Sequence, residues 1–231
     1  MRSTAERIVN NARKTLLSWS SGKDSAWALH VLRRSPDLEV AGLVTVINVE
    51  FDRVAMHAVR RELVEAQARA VGIELWIVEI PNPCSDAQYG AAMTTLVNRA
   101  RHAGISAMGF GDLFLEDVRA YRERMLAGSG LEPLFPLWDL DTRKLAHDML
   151  AAGLKARVTC IDPKSVDPSL AGREWDLAFL EQLSQGADPC GENGEFHTFA
   201  YDGPMFSRPI AIRSGEVLER EGFVFADLVA A

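Results

Sequence analysis

The sequence predicts an α/β fold: a doubly wound, mostly parallel sheet followed by a smaller C-terminal α+β region. The first observation is that short apolar runs alternate with amphipathic helical patterns through most of the chain, which is typical of βαβ units. The second is a change of composition after Gly186, where glycine and acidic residues replace the aliphatic ones. Right-handed crossovers would place helices on both faces of the sheet, and ligands bind beyond the carboxyl ends of its strands.

The apolar runs predict strands, and the periodic segments between them predict helices. The predicted strands are Thr15–Ser20, Val40–Ile47, Glu74–Ile80, Ile105–Phe110 and Lys155–Ile161. The predicted helices are Ser25–Arg34, Ala55–Val71, Asp86–His102, Leu115–Leu126, Thr142–Ala152 and Glu174–Leu183. In the second helix the apolar residues recur on one face, and Gly72 follows where a helix commonly ends. Near the C-terminus, Ile210–Arg213 and Val217–Phe225 predict a β-hairpin that turns at Ser214-Gly215.

A domain boundary is predicted near residue 130. A Gly128-Ser129-Gly130 break is followed there by a segment containing Pro133 and Pro136, and glycine and proline commonly interrupt regular structure. We therefore expect a nucleotide-binding domain over residues 1–130 and a substrate-binding region over residues 131–231.

Composition narrows the class of protein. The chain has 231 residues and a formal net charge of −7, which argues against a surface built mainly to bind nucleic acid. Its three cysteines, Cys84, Cys160 and Cys190, include no CxxC pair, so we expect reduced thiols and a cytoplasmic protein. Neither a signal-peptide segment nor an apolar stretch of the ~20 residues needed to span a bilayer is found in the sequence.

The stretch SWSSGKDS, residues 18–25, links the first predicted strand to the first helix. Small residues before a helix N-terminus let a phosphate approach free backbone N–H groups. Lys23 adds a positive charge, and Asp24 is suited to bind a divalent cation that bridges phosphates. The pattern is neither a Walker A loop nor a GxGxxG loop, because Gly22-Lys23 is followed by aspartate. The alternative is a serine-rich helix cap with a solvated Lys-Asp pair.

Strand–SSGKDS–helix resembles the SGGKDS signature of the PP-loop ATP pyrophosphatases, with Ser21 in place of the usual first glycine. The resemblance implies an adenine nucleotide alpha hydrolase-like domain that cleaves ATP between the α and β phosphates, with ATP and Mg²⁺ as cofactors. It assigns catalytic roles to Lys23 and Asp24, with Asp24 also a metal ligand. The ATP-binding residues it implies are Ser18, Ser20, Ser21, Gly22, Lys23, Asp24, Ser25, Asn48 and Gly111.

Two further motifs resemble the diphthine–ammonia ligase branch of that superfamily. CGENGEFHT, residues 190–198, is similar to its GExGE(F/Y)xT motif, and Gly109-Phe110-Gly111-Asp112 with Glu116, Arg119 and Arg122 is similar to its central motif. Together the motifs extend the resemblance over residues 15 to about 207. It implies an enzyme that adenylates a small-molecule or protein-borne carboxylate and amidates it with ammonia. A diphthine substrate would make an elongation factor the partner, and the sequence has no glutaminase segment.

The candidate substrate-binding residues belong to these motifs and to the second helix: His57, Asp112, Glu116, Arg119, Gly191, Glu192, Asn193, Gly194, Glu195, His197 and Thr198. The two glutamates of the glycine-rich segment are suited to orient ammonia or a cationic group, or to hold Mg²⁺, and the histidine is suited to act as a base. The two arginines of the central motif are suited to stabilise pyrophosphate charge.

Each of these assignments has a structural alternative. Glu192 and Glu195 could form a solvated turn, and His197 could pack between its aromatic neighbours. Asp112 could cap the following helix, and Arg119 with its neighbour three positions on could form a solvated helix face.

Two other functions remain open at the level of sequence: an ATP-binding sensor without turnover, and an RNA-thiolating enzyme that uses two of the cysteines. The C-terminal hairpin is suited to form a homodimer edge or a lid strand.

Overall fold

The computed structural model describes residues 12–55 and 58–231. The first sheet contains β1 (Arg13–Ser18), β2 (Leu38–Asn48), β3 (Arg53–Val54), β4 (Leu75–Ile80), β5 (Ala107–Gly109) and β6 (Glu132–Leu134). Its parallel strands lie in the order β4-β2-β1-β5-β6, and only the short β3 pairs antiparallel, with the end of β2. The predicted α/β fold with a mostly parallel sheet is therefore confirmed.

In the part of the chain that the structure describes, four helices lie on the two faces of this sheet, and two more belong to the C-terminal region. They are α1 (Lys23–Leu32), α2 (Arg61–Val71), α3 (Asp86–His102), α4 (Glu116–Leu126), α5 (Thr142–Ala151) and α6 (Leu177–Glu181). Neighbouring residues of β1 point in opposite directions, so Leu17 packs with α1 and α2 in one core while Leu16 packs with α3 and α4 in the other. Among the described residues, no helix combines the length and the apolar composition that crossing a bilayer would require.

The strand order reverses at β1. From β1 the chain adds β2 and β4 on one side, and it then returns to add β5 and β6 on the other. The carboxyl ends of β1 and β5 therefore flank a crevice, which is where ligands bind in sheets of this topology. The phosphate-loop candidate follows β1, and Gly111 and Asp112 follow β5.

The second sheet is antiparallel and belongs to the C-terminal region. It consists of β7 (Lys155–Ile161), β8 (Phe196–Asp202), β9 (Ile212–Arg220) and β10 (Phe223–Ala230), in the order β8-β7-β10-β9. A 3₁₀ turn, Pro168–Leu170, follows β7. Val158 and Phe199 from this sheet share a buried core with Leu29 of α1. The second sheet thus packs beside α1, which brings β8 to the N-terminus of that helix.

The predicted turn of the C-terminal hairpin is wrong. Ser214 and Gly215 lie inside β9, and the chain turns instead at Glu221-Gly222. Both turn residues have positive φ, 55° and 83°, as a two-residue hairpin turn with the favoured twist requires. Gly215 allows β9 to pack closely against β10, because a Cβ at residue 215 would lie 3.1 Å from the Asp227 Cβ.

The predicted start of the second helix at Ala55 is also wrong, because α2 begins at Arg61. Arg53 and Val54 form β3 instead, and Asp52 precedes them with a positive φ of 51°. The short hairpin of β2 and β3 was not predicted because the local sequence has a helical periodicity. The strands β6 and β8 were not predicted either, since proline in β6 and the glycine-rich segment before β8 obscured them.

An ion-pair cluster joins the two sheets. Asp227 of β10 accepts hydrogen bonds from Arg53 Nη1 at 2.7 Å and from Arg60 Nη2 at 2.6 Å. Because this carboxylate meets guanidinium groups from β3 and from the residue that precedes α2, the cluster fixes the C-terminal hairpin against the first sheet.

Candidate active site

The SWSSGKDS segment forms a tight loop between β1 and α1. Gly22 is the N-cap residue of α1, and it supplies no side-chain cap to the helix. The loop hydroxyls bond within the loop: Ser25 Oγ donates to the Gly22 carbonyl at 2.9 Å, and the Gly22 N–H donates to Ser20 Oγ at 3.3 Å. The serine-cap alternative therefore does not describe this helix. The positive N-terminus of α1 faces the crevice, where the Lys23 N–H donates to Thr198 Oγ1.

Ser21 adopts the left-handed conformation that the PP-loop signature assigns to glycine. Its φ is +72°, and the residue is fully buried. Its carbonyl accepts hydrogen bonds from Gln67 Nε2 and from the Ala200 N–H, both at 2.9 Å. Its hydroxyl has no hydrogen-bond partner among the described residues. A non-glycine residue in this conformation costs roughly 1–2 kcal/mol, so the loop carries local strain.

We expect Ser21→Gly to stabilise the protein by about 1 kcal/mol, because it relieves the strained φ and removes a buried unpaired hydroxyl. For a domain of this size the melting temperature should rise by roughly 2–4 °C. Ser21→Ala is the matched control, since it removes the hydroxyl but keeps the strain. Equal melting temperatures for the two variants would show that the backbone at residue 21 is not strained.

Lys23 and Asp24 form a buried ion pair at the start of α1. Lys23 Nζ donates to both carboxylate oxygens of Asp24, at 2.9 and 2.8 Å, and to the Cys190 carbonyl. Its side chain is 2% exposed, and the rings of Trp175 and Phe196 lie 5.4 and 5.5 Å from the charge. Burial alone would lower the pKa of Lys23, but the Asp24 carboxylate outweighs it and raises that pKa. Lys23 is therefore a fixed cation at physiological pH.

A cavity of about 300 Å³ opens above this pair. The predicted residues that line it are Ser18, Ser20, Gly22, Lys23, Asp24, Ser25, Gly111, Asp112, Gly191, Glu192, His197 and Thr198. The Lys23 N–H donates to Thr198 Oγ1 at 3.2 Å, which joins the phosphate loop directly to β8. The structure thus brings three motifs that are far apart in sequence to one cavity.

Two glycines allow the close approaches around this cavity. A Cβ on Gly111 would lie 3.1 Å from the backbone of Asp24 and Ser25, so glycine lets the loop after β5 pack closely on the start of α1. Gly191 has φ +72°, and a Cβ there would lie 2.7 Å from the Phe196 carbonyl. Position 191 therefore requires glycine for steric reasons, and position 111 favours it.

Glu192 places a carboxylate at the cavity wall. Its Oε1 accepts a hydrogen bond from the Leu113 N–H at 2.7 Å, and its own N–H donates to Asp188 Oδ2 at 2.9 Å. Burial raises the pKa of Glu192 to about 7 against the opposing effect of the Leu113 N–H, and the charges of Asp24 and Asp112 add to the rise. This carboxyl group is therefore suited to exchange a proton near neutral pH.

Glu195, Asn193 and Gly194 lie outside the cavity and determine the conformation of the CGENGEFHT segment. Glu195 is 5% exposed, and its Oε1 accepts hydrogen bonds from the Asp188 N–H and from Asn193 Nδ2, both at 2.9 Å. Asn193 is exposed, and Gly194 turns the chain with φ +86°. Glu195 therefore holds the loop together and is not part of a solvated turn.

His197 lines the cavity from β8. Burial lowers its pKa to about 4, and the charge of Lys23 lowers it further. The imidazole is therefore neutral at physiological pH and is suited to hydrogen bonding more than to accepting a proton.

Asp112 and Arg122 face each other across the cavity rim, with Arg122 Nε 3.5 Å from Asp112 Oδ2. Burial raises the pKa of Asp112, while the positive charge of Arg122 opposes that rise. The N-cap of α4 is Leu115, so the helix-cap alternative does not hold for Asp112. Arg122 is thus the arginine of the central motif that reaches the cavity.

Arg119, Glu116 and Asn48 lie away from this cavity. Arg119 pairs with Glu123 at 2.8 Å and stacks on aromatic rings outside the cavity, and Glu116 is exposed on α4. Asn48 lines a neighbouring cavity and accepts a hydrogen bond from the Glu50 N–H. His57 lies outside the described residues.

A second cavity, of about 350 Å³, adjoins the first and was not predicted. The two share Ser18, Ser20, Phe110 and Arg122 in their walls. The rest of the second wall is mostly apolar or aromatic: Trp19, Val44, Val46, Val54, Ala55, Tyr89, Met93, Met108, Tyr121 and Met125. Apolar residues at the ends of strands resemble ordinary core residues, so this cavity could not be recognised from the sequence.

The cysteines do not form a sulfur-transfer site. Burial raises the pKa of Cys160 to about 12 and also raises that of Cys190. Both thiols are therefore protonated and poorly nucleophilic. RNA thiolation is not favoured.

The doubly wound sheet, the loop at the N-terminus of α1 and the paired Lys23-Asp24 define an α/β protein with a loop suited to bind phosphate. Comparison with protein-family models matches residues 13–133 to the diphthamide synthase N-terminal domain and residues 141–227 to the diphthamide synthase C-terminal domain. The chain belongs to the diphthamide synthase family.

Several similar curated proteins are named diphthine–ammonia ligase. That of Danio rerio is 28% identical over 195 residues, which cover 77% of this chain and 75% of the relative. That of Schizosaccharomyces pombe is 32% identical over 51% of this chain, and that of Homo sapiens is 28% identical over 53% of it. The chain spans 20% and 48% of the lengths of these last two relatives. The division of the chain at residue 130 remains a prediction.

Proposed function

We propose that this protein is an ATP-dependent amide ligase that adenylates a carboxylate, releases pyrophosphate and transfers ammonia to the acyl group. One observation carries the proposal: the phosphate loop and the CGENGEFHT motif meet in one cavity, joined by the hydrogen bonds of Lys23 to Thr198 and Cys190. A nucleotide site and an acyl-substrate motif that share one wall suit a reaction between ATP and a carboxylate.

ATP fits the pair of adjoining cavities. The triphosphate would lie in the 300 Å³ cavity against the N-terminus of α1 and the loop hydroxyls. The adenine ring would enter the apolar 350 Å³ cavity past Phe110. Ser18 and Ser20 line both cavities, so the α-phosphate would lie beside them, where a carboxylate attacks it.

The chain's residues fit Mg²⁺ bound chiefly through ATP. No group of three or more histidine, cysteine or acidic side chains able to hold a metal ion occurs within residues 12–55 and 58–231. Mg²⁺ commonly takes one or two protein carboxylates and several phosphate or water oxygens. Asp24, which lines the cavity with a quarter of its side chain exposed, would be the carboxylate that holds it. Bound Mg²⁺ supplies charge neutralisation at the phosphates.

Lys23 and Arg122 would stabilise the departing pyrophosphate. Lys23 is a buried cation with little freedom to move, and Arg122 lies at the rim between the two cavities. Preorganised positive charge of this kind lowers the barrier because it needs no rearrangement as the leaving group becomes more negative.

Glu192 would accept the proton that the nitrogen donor loses. Ammonium must lose a proton before it attacks an acyl-adenylate, and a carboxylate with a pKa near 7 can accept one. Free ammonia is the proposed donor. By the names of its relatives, diphthine is the proposed substrate, so the partner would be a diphthine-bearing protein. Two buried free thiols suit a reducing cytoplasm.

Pyrophosphate release from ATP and Mg²⁺, with ammonium and either a diphthine-bearing protein or a panel of carboxylic acids, tests the proposal. We expect AMP and pyrophosphate from the wild type and at least a ~10²-fold loss of rate in Asp24→Ala. Asp148→Ala on the exposed face of α5 is the control and should be fully active.

Three outcomes would contradict this function. ADP and inorganic phosphate would mean that the β–γ bond is cleaved. Bound ATP without turnover in the presence of a diphthine-bearing protein would identify a sensor. Activity with glutamine as the sole nitrogen source, without a second protein, would contradict ammonia as the donor.

A further inference from the structure

Gln67 is a fully buried polar side chain at the centre of the molecule. It lies on α2, and its amide makes three hydrogen bonds. Trp19 Nε1 donates to its Oε1 at 2.8 Å, while its Nε2 donates to the Ser21 carbonyl at 2.9 Å and to the Ala200 carbonyl at 2.6 Å. Both amide hydrogens are thereby used, so the side chain has one defined orientation.

These partners come from separate parts of the site. Trp19 and Ser21 flank Ser20 in the phosphate loop, and Ala200 belongs to β8, two residues after Thr198. The Ala200 N–H also donates to the Ser21 carbonyl at 2.9 Å. Gln67 therefore completes a buried network in which α2 and β8 hold the same carbonyl of the loop.

The Ser21 carbonyl determines where the next N–H points. The peptide between Ser21 and Gly22 is planar, so its C=O and N–H groups point in opposite directions. Because Gln67 and Ala200 hold the carbonyl on the buried side, the Gly22 N–H is turned toward the loop hydroxyls and the cavity that Gly22 lines. The positive φ of Ser21 is maintained by the same two bonds.

We propose that Gln67 is a positioning residue that orients the Ser21–Gly22 peptide of the phosphate loop and keeps the loop in register with the β8 strand of the C-terminal motif. It does not touch the cavity. It acts through the Ser21–Gly22 peptide, and so links nucleotide binding to the position of Thr198. The inference rests on the proposed function only in taking ATP as the ligand.

Gln67→Glu is the principal variant, because it keeps the size of the side chain and the acceptor for Trp19 but removes both N–H donors. Gln67→Met is the second variant, should the first not fold. Val64→Ala is the matched control: it makes a cavity at a fully buried position of the same helix, and Val64 lines neither of the two cavities. Melting temperature reports the general destabilisation in each case.

Two measurements separate positioning from stability. Amide hydrogen exchange without nucleotide should be at least tenfold faster in residues 18–25 of the Gln67 variants, and unchanged there in Val64→Ala. The dissociation constant for ATP, measured by calorimetry, should rise at least tenfold in the Gln67 variants and stay within twofold in the control. Loop exchange and ATP affinity equal to those of Val64→Ala would overturn the inference. If the wild type binds no ATP, the proposed function is wrong. The hydrogen-exchange rates of residues 18–25 would still test whether Gln67 positions the loop.

Discussion

Lys23→Met should reduce pyrophosphate release by about 10²–10³-fold, since it removes a preorganised cation from the position where charge develops on the leaving group. It should also destabilise the fold by roughly 3 kcal/mol, because the Asp24 carboxylate and the Cys190 carbonyl lose the ammonium that they share. A coupled pyrophosphate assay and urea denaturation measure the two effects.

The double variant Lys23→Met/Asp24→Asn separates these effects. It removes the uncompensated charge, so stability should recover in part while activity stays low. Lys144→Met, at an exposed lysine that pairs with Asp148 on α5, should change neither quantity. Half or more of the wild-type rate in Lys23→Met would show that Lys23 takes no part in the reaction.

Glu192→Gln is expected to change activity and stability in opposite directions. The variant cannot accept a proton from ammonium, so amide formation should fall by about 10²-fold. The folded-state pKa of Glu192, about 7, lies above the ordinary value of 4.5, so the folded protein binds this proton more tightly than the unfolded chain. The stabilising effect of the proton is complete below pH 4.5 and is lost as pH rises through 7. The variant should therefore melt higher than the wild type at pH 8, by roughly 2–4 °C for each kcal/mol relieved.

The pH dependence of amide formation and of the melting temperature tests this prediction. Amide formation by the wild type should rise with pH through an apparent pKa near 7, and Glu192→Gln should lack that step. The difference in melting temperature should shrink as pH falls toward 5. Glu181→Gln, an exposed substitution on α6, is the control and should follow the wild type in both measurements. An unchanged pH profile in Glu192→Gln would rule this carboxyl group out as the proton acceptor.

Local sequence patterns predicted the parallel sheet and the loop between β1 and α1, because both arise from features within about ten residues of one another. The approach of Thr198 to Lys23 spans 175 positions, and only the resemblance of separate motifs to one family indicated it. Gln67 was missed for a physical reason: a polar residue in an amphipathic helix is ordinarily solvent-facing. Its burial depends on β8, which sequence periodicity did not predict.

The β8 residues that bond to the phosphate loop lie far from it in the sequence. This separation determines the order in which the parts of the site can form during synthesis. During synthesis, β1, the phosphate loop and α1 leave the ribosome early, whereas Thr198 and Ala200 of β8 follow roughly 175 residues later. At ~5–20 residues per second this interval lasts on the order of ten seconds or more. Through that time the Ser21 carbonyl lacks its hydrogen bond from the Ala200 N–H, and α1 lacks its packing against the second sheet. The site can therefore be completed only after β8 has been made.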